Sequence, residues 1–309
     1  MRTRSERLAR LASAALLWLA STGAVQAMEI FACEPHWAAL ARVLAPEAHI
    51  TSATHARQDP HHIEARPALI GSLRRARLAV CTGASLEAGW LPVLQQRAGN
   101  PAVRNGRDGM FHAADVVPLM DAREYVDRSM GDVHAEGNPH FHLDPRRLVQ
   151  VAEALAERLA AIDPAGASGY RERFRAWAEA WDRRVQTWTA KAAPLAGRAV
   201  VAQHSDFAYL WMWLGVEQVA DLEPKPGLPP TVAHLRRVLQ QVEAAPPAAI
   251  VQALHQDPQA GRWLAERIGV AQLVLPATVM PDGPAADLAG LYELLIDELL
   301  RATDSAPRR

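Results

Sequence analysis

Residues 137–145 read GNPHFHLDP and set two histidines immediately before a predicted helix. His140 and His142 are two residues apart, so in an extended segment both side chains point to the same side. Asp144 and Pro145 have the pattern of an N-cap followed by the first residue of a helix. We therefore predict that the histidines end a stretch of extended chain before a helix, where open α/β folds bind ligands.

Outside this segment, short apolar runs alternate with amphipathic stretches, a pattern that predicts βα units and a parallel sheet. The first half predicts strands over 29–33, 49–53, 78–81 and 115–119, and helices over 35–44, 66–76, 86–97 and 145–161. The second half predicts strands over 199–202, 216–220, 249–253 and 272–275, and helices over 207–214, 232–244, 258–268 and 286–301. We therefore expect an α/β protein with two series of βα units.

Between the two series, aromatic and apolar residues recur at steps of three and four from Tyr170 to Trp188. This periodicity predicts one long amphipathic helix over 169–193. We interpret its aromatic stripe as core packing and not as a cofactor site. The position of the helix predicts that it connects the two series.

Length, composition and net charge indicate the number of domains and argue against one class of partner. The chain has 309 residues, half of them apolar, which suffices for two domains. The formal net charge is −1, whereas nucleic-acid binding generally requires a basic face. We therefore expect no nucleic-acid partner.

The N-terminus has the pattern of a secretory signal peptide. Arginines precede an apolar run over 11–20, and small residues then lead to Val25-Gln26-Ala27. This pattern predicts a signal peptide over 1–27, cleaved after Ala27, and a periplasmic mature protein. A membrane anchor is the alternative, but the run is shorter than the ~20 residues of a spanning helix. No later stretch is apolar enough to cross a bilayer, so we expect no stable membrane insertion.

The chain has two cysteines, Cys33 and Cys81, and each closes a predicted strand. If these strands are neighbours in a parallel sheet, the thiols lie within disulfide reach, and an oxidising compartment permits the bond. The alternative is a pair of buried thiols. Two cysteines this far apart in sequence do not form a metal knuckle.

Three histidines lie at or shortly after the carboxyl ends of predicted strands: His61 in DPHH, His140 in the opening segment, and His204 in AVVAQHSDF. Such strand ends face the crevice between domains. Converging neutral imidazoles suit Zn(II); Cu(II) also accepts them, and Mn(II) prefers more oxygen ligands. We predict a zinc site that the tertiary fold assembles from these three side chains.

Other groups lie close to these points in sequence. Adjacent side chains diverge in an extended segment, so we choose His61 over His62 as a ligand. We choose His140, which follows a proline, over His142. His142 would instead form an outer hydrogen bond to a ligand or take part in metal exchange. The polar loop over 121–138 is longer than a connection requires and contributes a further histidine. The accessory candidates are His62, Glu64, His134 and His142.

An enzymatic interpretation competes with metal binding alone. His140, His142 and Asp144 follow the spacing of the H-x-H-x-D-H signature of metallo-β-lactamase-type hydrolases, whose metal-bound water is the nucleophile. Pro145 stands at the last position of that signature, so one expected ligand is missing. The alternative function is a periplasmic zinc-dependent hydrolase with an open coordination position.

Four segments of the mature chain resemble the zinc and manganese solute-binding proteins of bacterial ABC importers, the periplasmic zinc-binding and TroA-like group. They are QDPHHIEARP over 58–67, CTGASLEAGWLP over 81–92, GDVHAEGNPHFHLDP over 131–145 and QHSDFAYLWMWLG over 203–215. The resemblance implies two α/β lobes with parallel central sheets, joined by one long helix, with the metal in the cleft between them. We accordingly expect an N-terminal lobe over 28–166, a linking helix over 167–194 and a C-terminal lobe over 195–309.

The resemblance also implies the function. A protein of this group captures Zn(II) in the periplasm and delivers it to an ABC permease for import, and it is not an enzyme. We further expect a monomer. His61, His140 and His204 match the group's first three ligand positions, and histidine at the third position favours zinc over manganese. A zinc chaperone that works without an importer is a weaker alternative.

The group usually takes a fourth ligand, an aspartate, from a loop near the last strand of the second lobe. Here that region reads LVLPATVMPDGPAADL over 273–288, and Asp282 is the nearest candidate. Water, Glu64 or His134 are the alternatives. The group's long histidine-rich loop is absent, which leaves His134 as a candidate metal-acquiring residue.

Overall fold

Two four-stranded parallel sheets organise the part of the chain that the computed structural model describes, residues 27–305. The first sheet, in the order β2-β1-β3-β4, consists of β1 (Glu29–Ala32), β2 (His49–Ser52), β3 (Leu78–Cys81) and β4 (Met110–His112). The second, in the order β6-β5-β7-β8, consists of β5 (Ala199–Ala202), β6 (Glu217–Asp221), β7 (Ala249–Ala253) and β8 (Ala271–Leu275). The signal peptide predicted over 1–27 lies outside the described residues except for Ala27, because the description begins at residue 27.

Helices connect the strands in both halves. The first half contains α1 (Pro35–Leu44), α2 (Pro67–Arg75), α3 (Leu91–Ala98) and α4 (Pro145–Ile162). After the 25-residue helix α5 (Ala167–Lys191), the second half contains α6 (Ala208–Leu214), α7 (Val232–Glu243), α8 (Gln259–Ile268) and α9 (Leu288–Ser305). Each sheet has the same strand order within its own series, so the two lobes share one topology. The predicted α/β fold of two parallel-sheet lobes joined by a long helix is confirmed.

The long helix α5 packs against both lobes. Trp181 is buried, and its Nε1 donates to the carbonyl oxygen of Pro145 at the start of α4 (2.9 Å). The rings of Trp181 and Trp188 lie 5.6 and 5.4 Å from the ring of Tyr292 in α9. These residues belong to one apolar core that continues across both lobes. The aromatic stripe of the helix is therefore core, as predicted.

The predicted fourth strand over 115–119 is wrong. The fourth strand is β4, and Ala113–Val116 forms a 3-10 turn after it. Pro118 lacks the N–H that a sheet ladder requires. Gly109 instead lets the chain pass close to its neighbours before β4, since a Cβ there would lie 2.6 Å from the carbonyl oxygen of Ala102. A strand of three residues is too short to show an alternating pattern in the sequence.

The helix predicted over 86–97 begins later, at Leu91. The residues before it form turns in which the Glu87 carboxylate accepts the backbone N–H groups of Thr82 (2.6 Å) and Gly83 (3.0 Å). Because this carboxylate binds the backbone at the carboxyl end of β3, the chain turns there before it enters a helix.

The segment before α4 is not extended, contrary to the prediction. Phe141–Leu143 forms a 3-10 turn, with His140 at its N-cap. Asp144 caps α4 as expected, because its side chain accepts the backbone N–H of Arg146 (3.1 Å). The turn separates the directions of His140 and His142, so the two rings do not serve one site.

Cys33 and Cys81 form a disulfide at the carboxyl ends of β1 and β3. These strands are neighbours in the first sheet, with Ala32 paired to Val80. The bond is confirmed, and the alternative of two buried thiols is excluded. Within residues 27–305, no helix has both the length and the apolar character of a membrane span.

Candidate metal centre

Three imidazoles from both lobes form a triangle in the cleft. The ring centroids of His61, His140 and His204 lie 5.9 Å apart in each of the three pairs. One ligand nitrogen from each ring lies within 4.8 Å of the other two. The fold thus brings together the three residues predicted as metal ligands, and we call this group the histidine triangle.

His61 is oriented by a carboxylate in its own turn, after β2. Asp59 Oδ1 accepts the backbone N–H of His61 (2.9 Å) and the ring Nδ1–H (2.8 Å). Burial opposes ionisation of Asp59, but the hydrogen bonds from His61 outweigh it and lower the pKa of the carboxyl. With Nδ1 protonated, Nε2 presents a lone pair to the cleft.

His204 is oriented from the second lobe, in the turn after β5. Its φ of 62° is left-handed, a conformation that is rare outside glycine and is often found at functional sites. Its backbone N–H donates to Asp221 Oδ1 (3.1 Å), and its ring Nδ1 donates to Glu223 Oε2 (3.0 Å). Burial favours the neutral ring, but the bond to Glu223 and the charge of Asp206 outweigh it and raise the pKa of His204 to about 9.

His140 is the most deeply buried member of the triangle. Its backbone N–H donates to Asn138 Oδ1 (2.9 Å), and Asn138 Nδ2 donates across the cleft to the carbonyl oxygen of Ser205 (3.1 Å). Burial and the neighbouring imidazoles lower the pKa of His140, so the ring is neutral. Its Nε2 is buried without a hydrogen-bond partner in the described structure. A buried ring nitrogen without a hydrogen-bond partner, on a ring whose centroid lies 5.9 Å from each of two other imidazoles, fits a metal ligand.

His134 approaches the triangle from the loop over 121–138. Its Nε2 lies 3.2 Å from Nε2 of His61. Burial and the proximity of His61 lower the pKa of His134 to about 4. The loop reaches the second lobe, where the backbone N–H of Asp132 donates to the carbonyl oxygen of Pro226 (2.9 Å). Among the accessory candidates, His134 is therefore the one that contacts the triangle.

The other candidates lie elsewhere. His142 donates from Nε2 to the carbonyl oxygen of Ala277 (2.8 Å) and stacks on His36 at 3.7 Å, outside the triangle. His62 and Glu64 are exposed, although His62 lines the mouth of the cleft. Asp282 is also exposed, between β8 and α9, and is not part of the triangle.

Sequence reasoning missed the carboxylates that surround the histidines. Asp59 and Glu223 accept ring N–H groups, and Asp206 is buried beside His140. Asp206 is two residues from His204, and Asp59 is two residues from His61, so proximity in sequence to a candidate ligand was an available signal. Glu223 offered no such signal, because only the pairing of β5 with β6 brings it to His204.

A cleft of about 400 Å³ opens beside the triangle. Residues of both lobes line it, and it holds no lysine or arginine. Its carboxylates come from Asp59, Asp132, Glu223 and Asp257. Such a lining favours a cation, and the imidazole nitrogens at its base suit a borderline metal such as zinc.

Comparisons with known proteins show the family of this chain. The family model described as ZnuA, zinc-uptake complex component A, periplasmic, matches residues 30–302. The zinc-binding lipoprotein AdcA of Streptococcus pneumoniae serotype 4 is 23% identical over 188 residues, which is 60% of this chain and 36% of the relative. The chain thus spans about a third of the length of the curated relatives it matches.

Solved structures share the fold. A crystal structure of ZnuA superposes with a TM-score of 0.74 at 20% identity, covering 90% of this chain and 100% of that chain. A Mn-bound periplasmic metal-binding protein from Candidatus Liberibacter asiaticus has a TM-score of 0.70 at 18% identity, covering 87% and 98%. Since the family model extends over nearly all of the described residues, the chain belongs to the ZnuA family of periplasmic zinc-uptake components.

Proposed function

We propose that this chain captures Zn(II) in the periplasm and delivers it to an ABC permease for import. The observation that carries the proposal is the histidine triangle, His61, His140 and His204, assembled from both lobes. Nitrogen ligands without thiolates suit zinc, and a nitrogen-rich set is poor for manganese, which prefers oxygen. Family membership supports the same cargo.

The surrounding carboxylates would prepare the rings for the metal. Asp59 and Glu223 accept the Nδ1–H of His61 and His204, which directs Nε2 of each ring toward the metal. Zinc would replace the proton on Nε2 of His204, which is held there at neutral pH by the raised pKa. His134 would contact the ion from the outer side, next to His61.

The lobe boundaries and the oligomeric state belong to this proposal. We assign an N-terminal lobe over 28–166, a linking helix over 167–194 and a C-terminal lobe over 195–309. The sheets support this division, since β1 to β4 precede α5 and β5 to β8 follow it. We expect a monomer whose cleft faces the permease, and light scattering at several concentrations would test the mass.

A zinc hydrolase is the alternative, because the cleft leaves space beside the histidines. A carrier should show no turnover. Zinc-loaded protein should therefore leave ester and β-lactam substrates intact over hours, at the rate of a buffer control. Turnover that disappears in the H204A variant would favour the enzyme instead.

The direct test of the proposal is zinc affinity, measured by competition with a chromophoric chelator. Alanine at His61, His140 or His204 should each weaken binding by more than about 100-fold, since each removes a ligand and not an outer hydrogen bond. H49A is the matched control, because His49 is exposed at the start of β2. Growth of cells in zinc-depleted medium with each variant as the sole copy would report delivery. A triangle variant that binds zinc as the parent does would remove that residue from the site.

A further inference from the structure

Arginines cluster at the end of the first lobe that faces away from the cleft. His61 follows the carboxyl end of β2 at the cleft, so the amino ends of the parallel strands lie at the opposite end of that lobe. Helices α1, α2 and α3 run back to this end, and each has arginine in its last turn. The segments that lead into β3 and β4 add three more. We call these seven exposed residues the arginine face: Arg42, Arg74, Arg75, Arg77, Arg97, Arg104 and Arg107.

Hydrogen bonds hold the parts of the arginine face together. Arg74 Nη2 donates to the carbonyl oxygen of Arg97 at the end of α3 (3.3 Å). Asn100 Nδ2 donates to the carbonyl oxygen of Ala76 (2.8 Å), which fixes the loop over 99–109 against the end of α2. The ends of two helices and the loop before β4 therefore form one continuous surface.

Ion pairs do not neutralise the arginine face. Among the described residues, the ion pairs of lysine and arginine within 4.0 Å all lie elsewhere. Seven arginines share this end of the lobe with four carboxylates, so the end is positive although the formal net charge of the whole chain is −1. The four carboxylates are those of Glu29, Glu47, Asp108 and Asp163.

The helix dipole explains only part of this pattern. A helix C-terminus favours basic side chains, but Arg77, Arg104 and Arg107 lie in loops. The second lobe has the same topology, and there α6 and α7 have no basic residue in their last turns. Arg267, in the last turn of α8, lies over the ring of Trp263 at 4.0 Å. The arginine face is therefore a property of the first lobe and not of the fold.

The breadth of the face suits an extended anionic surface better than a small anion. Helices α1 and α4 cover one side of the first sheet, and α2 and α3 cover the other. The arginines follow helix ends on both sides and loops of the sheet between them, so they span three layers. Anionic phospholipid headgroups attract such clusters of basic residues. A periplasmic protein lies next to a membrane that presents such headgroups.

We propose that the arginine face holds this protein at anionic phospholipid headgroups by electrostatic attraction, without insertion into the bilayer. The face and the histidine triangle lie at opposite ends of the first lobe, so lipid binding leaves the cleft open for the metal. The attraction acts over about a Debye length, ~10 Å at 0.1 M salt, and weakens as salt is added. This inference does not depend on which metal the cleft binds.

Sedimentation with vesicles tests the arginine face through two matched triple variants. R75Q/R104Q/R107Q removes three arginines whose side chains form no hydrogen bond or ion pair within the described residues. R236Q/R237Q/R262Q makes the same change in net charge at exposed positions of α7 and α8 in the second lobe. The vesicles contain either phosphatidylcholine alone or equal parts of phosphatidylcholine and phosphatidylglycerol.

The parent should bind the vesicles with phosphatidylglycerol at about 0.05 M salt and dissociate from them at about 0.5 M. It should not bind phosphatidylcholine alone. Each arginine near an anionic surface contributes about fivefold in affinity, so R75Q/R104Q/R107Q should bind more than about 30-fold more weakly than the parent. The variant of the second lobe should stay within about threefold of the parent.

A parent that does not bind the anionic vesicles, or an equal loss in both variants, would overturn the proposal. Binding to inorganic polyphosphate but not to vesicles would also overturn it, because the partner would then be a soluble polyanion. Circular dichroism and zinc affinity of both variants should match the parent. These two measurements separate a loss of lipid binding from unfolding and from a failure of the proposed zinc capture.

Discussion

The protonation of His204 governs how the site takes its metal. Hydrogen bonding to Glu223, with the nearby charge of Asp206, outweighs burial and raises the pKa of His204 to about 9. At pH 7 the ring of the metal-free protein is therefore cationic, and zinc must displace the Nε2 proton. His140 needs no such exchange, because its lowered pKa keeps it neutral.

Zinc binding at pH 7 should release about one proton for each zinc bound. Calorimetry in buffers of different ionisation enthalpy measures this number directly. The apparent Kd should fall about tenfold for each unit of pH between 7 and 8.5 and level off above 9, because the competing proton is then absent. Zinc binding without proton release at pH 7 would contradict the cationic His204.

Removal of the Glu223 carboxylate is a second test of the protonation of His204. The E223Q variant should release fewer protons for each zinc bound at pH 7, because the pKa of His204 falls without the Glu223 carboxylate. Its zinc affinity at pH 9, where proton competition no longer matters, should be about 10- to 100-fold weaker because the ring loses its orienting partner. E217Q, an exposed change at the start of β6, is the control.

Glu223 also links the stability of the metal-free protein to pH. A pKa raised from 6.5 to about 9 in the folded state stabilises the fold fully below pH 6.5, and this stability is lost as pH rises through 9. Urea unfolding should therefore show E223Q less stable than the parent by about 1.5–3 kcal/mol at pH 6.5. The difference should shrink by pH 9.5, and an unchanged difference would refute the linkage.

At the scale of elements, the disulfide fastens β1 to β3. Cys33 and Cys81 are separated by 48 residues in sequence, so the bond restricts a long loop of the unfolded chain. The loop-entropy relation gives a stabilisation of about 4 kcal/mol. Urea unfolding of the C33A/C81A double variant should show a loss of that order. Zinc affinity should change by no more than a few-fold, because the cysteines are not part of the triangle.

Reducing agent provides the control for the disulfide. It should lower the unfolding midpoint of the parent and leave that of the double variant unchanged. A parent whose stability does not respond to complete reduction would contradict the stabilising role.

Elements with strong periodicity could be predicted from sequence, and those defined by distant contacts could not. Helix Pro35–Leu44 has the predicted bounds, because Pro35 and the apolar spacing act locally. β4 was missed because a three-residue strand has no alternation to detect, and its position depends on Gly109 passing close to Ala102. The turn Phe141–Leu143 differs from the predicted extended chain, and its partners lie far away in sequence: His142 Nε2 donates to the carbonyl oxygen of Ala277, and the Tyr292 hydroxyl donates to the carbonyl oxygen of His142.

The candidate site likewise contains residues that could be predicted from the sequence and residues that could not. The histidine triangle could be predicted from strand ends and resemblance, because each ligand lies next to a recognisable motif. Glu223 could not, since only the pairing of β5 with β6 brings its carboxylate to His204. The spacing of residues also could not predict that Asp282 is exposed on the surface.

At the scale of the whole molecule, the lobes are not free to move far apart. The 25-residue helix α5 would have to break internal hydrogen bonds to bend sharply. The apolar core also continues across both lobes through Trp181, Trp188 and Tyr292. Zinc should therefore tighten the cleft by small local movements and not by a wide hinge.

Small-angle scattering with and without zinc checks this expectation. A compact chain of this size has a radius of gyration of about 19 Å. Zinc should change the radius by less than about 1 Å, which is much smaller than a wide closure of two lobes. A contraction of several ångströms would contradict the rigid connection.

Anomalous diffraction at the zinc edge, on crystals of the metal-loaded protein, tests most directly whether one ion joins the two lobes. The account predicts one peak at the triangle, about 2.0–2.1 Å from Nε2 of His61, His140 and His204. A peak bound by histidines of one lobe alone, or located away from these three rings, would contradict it.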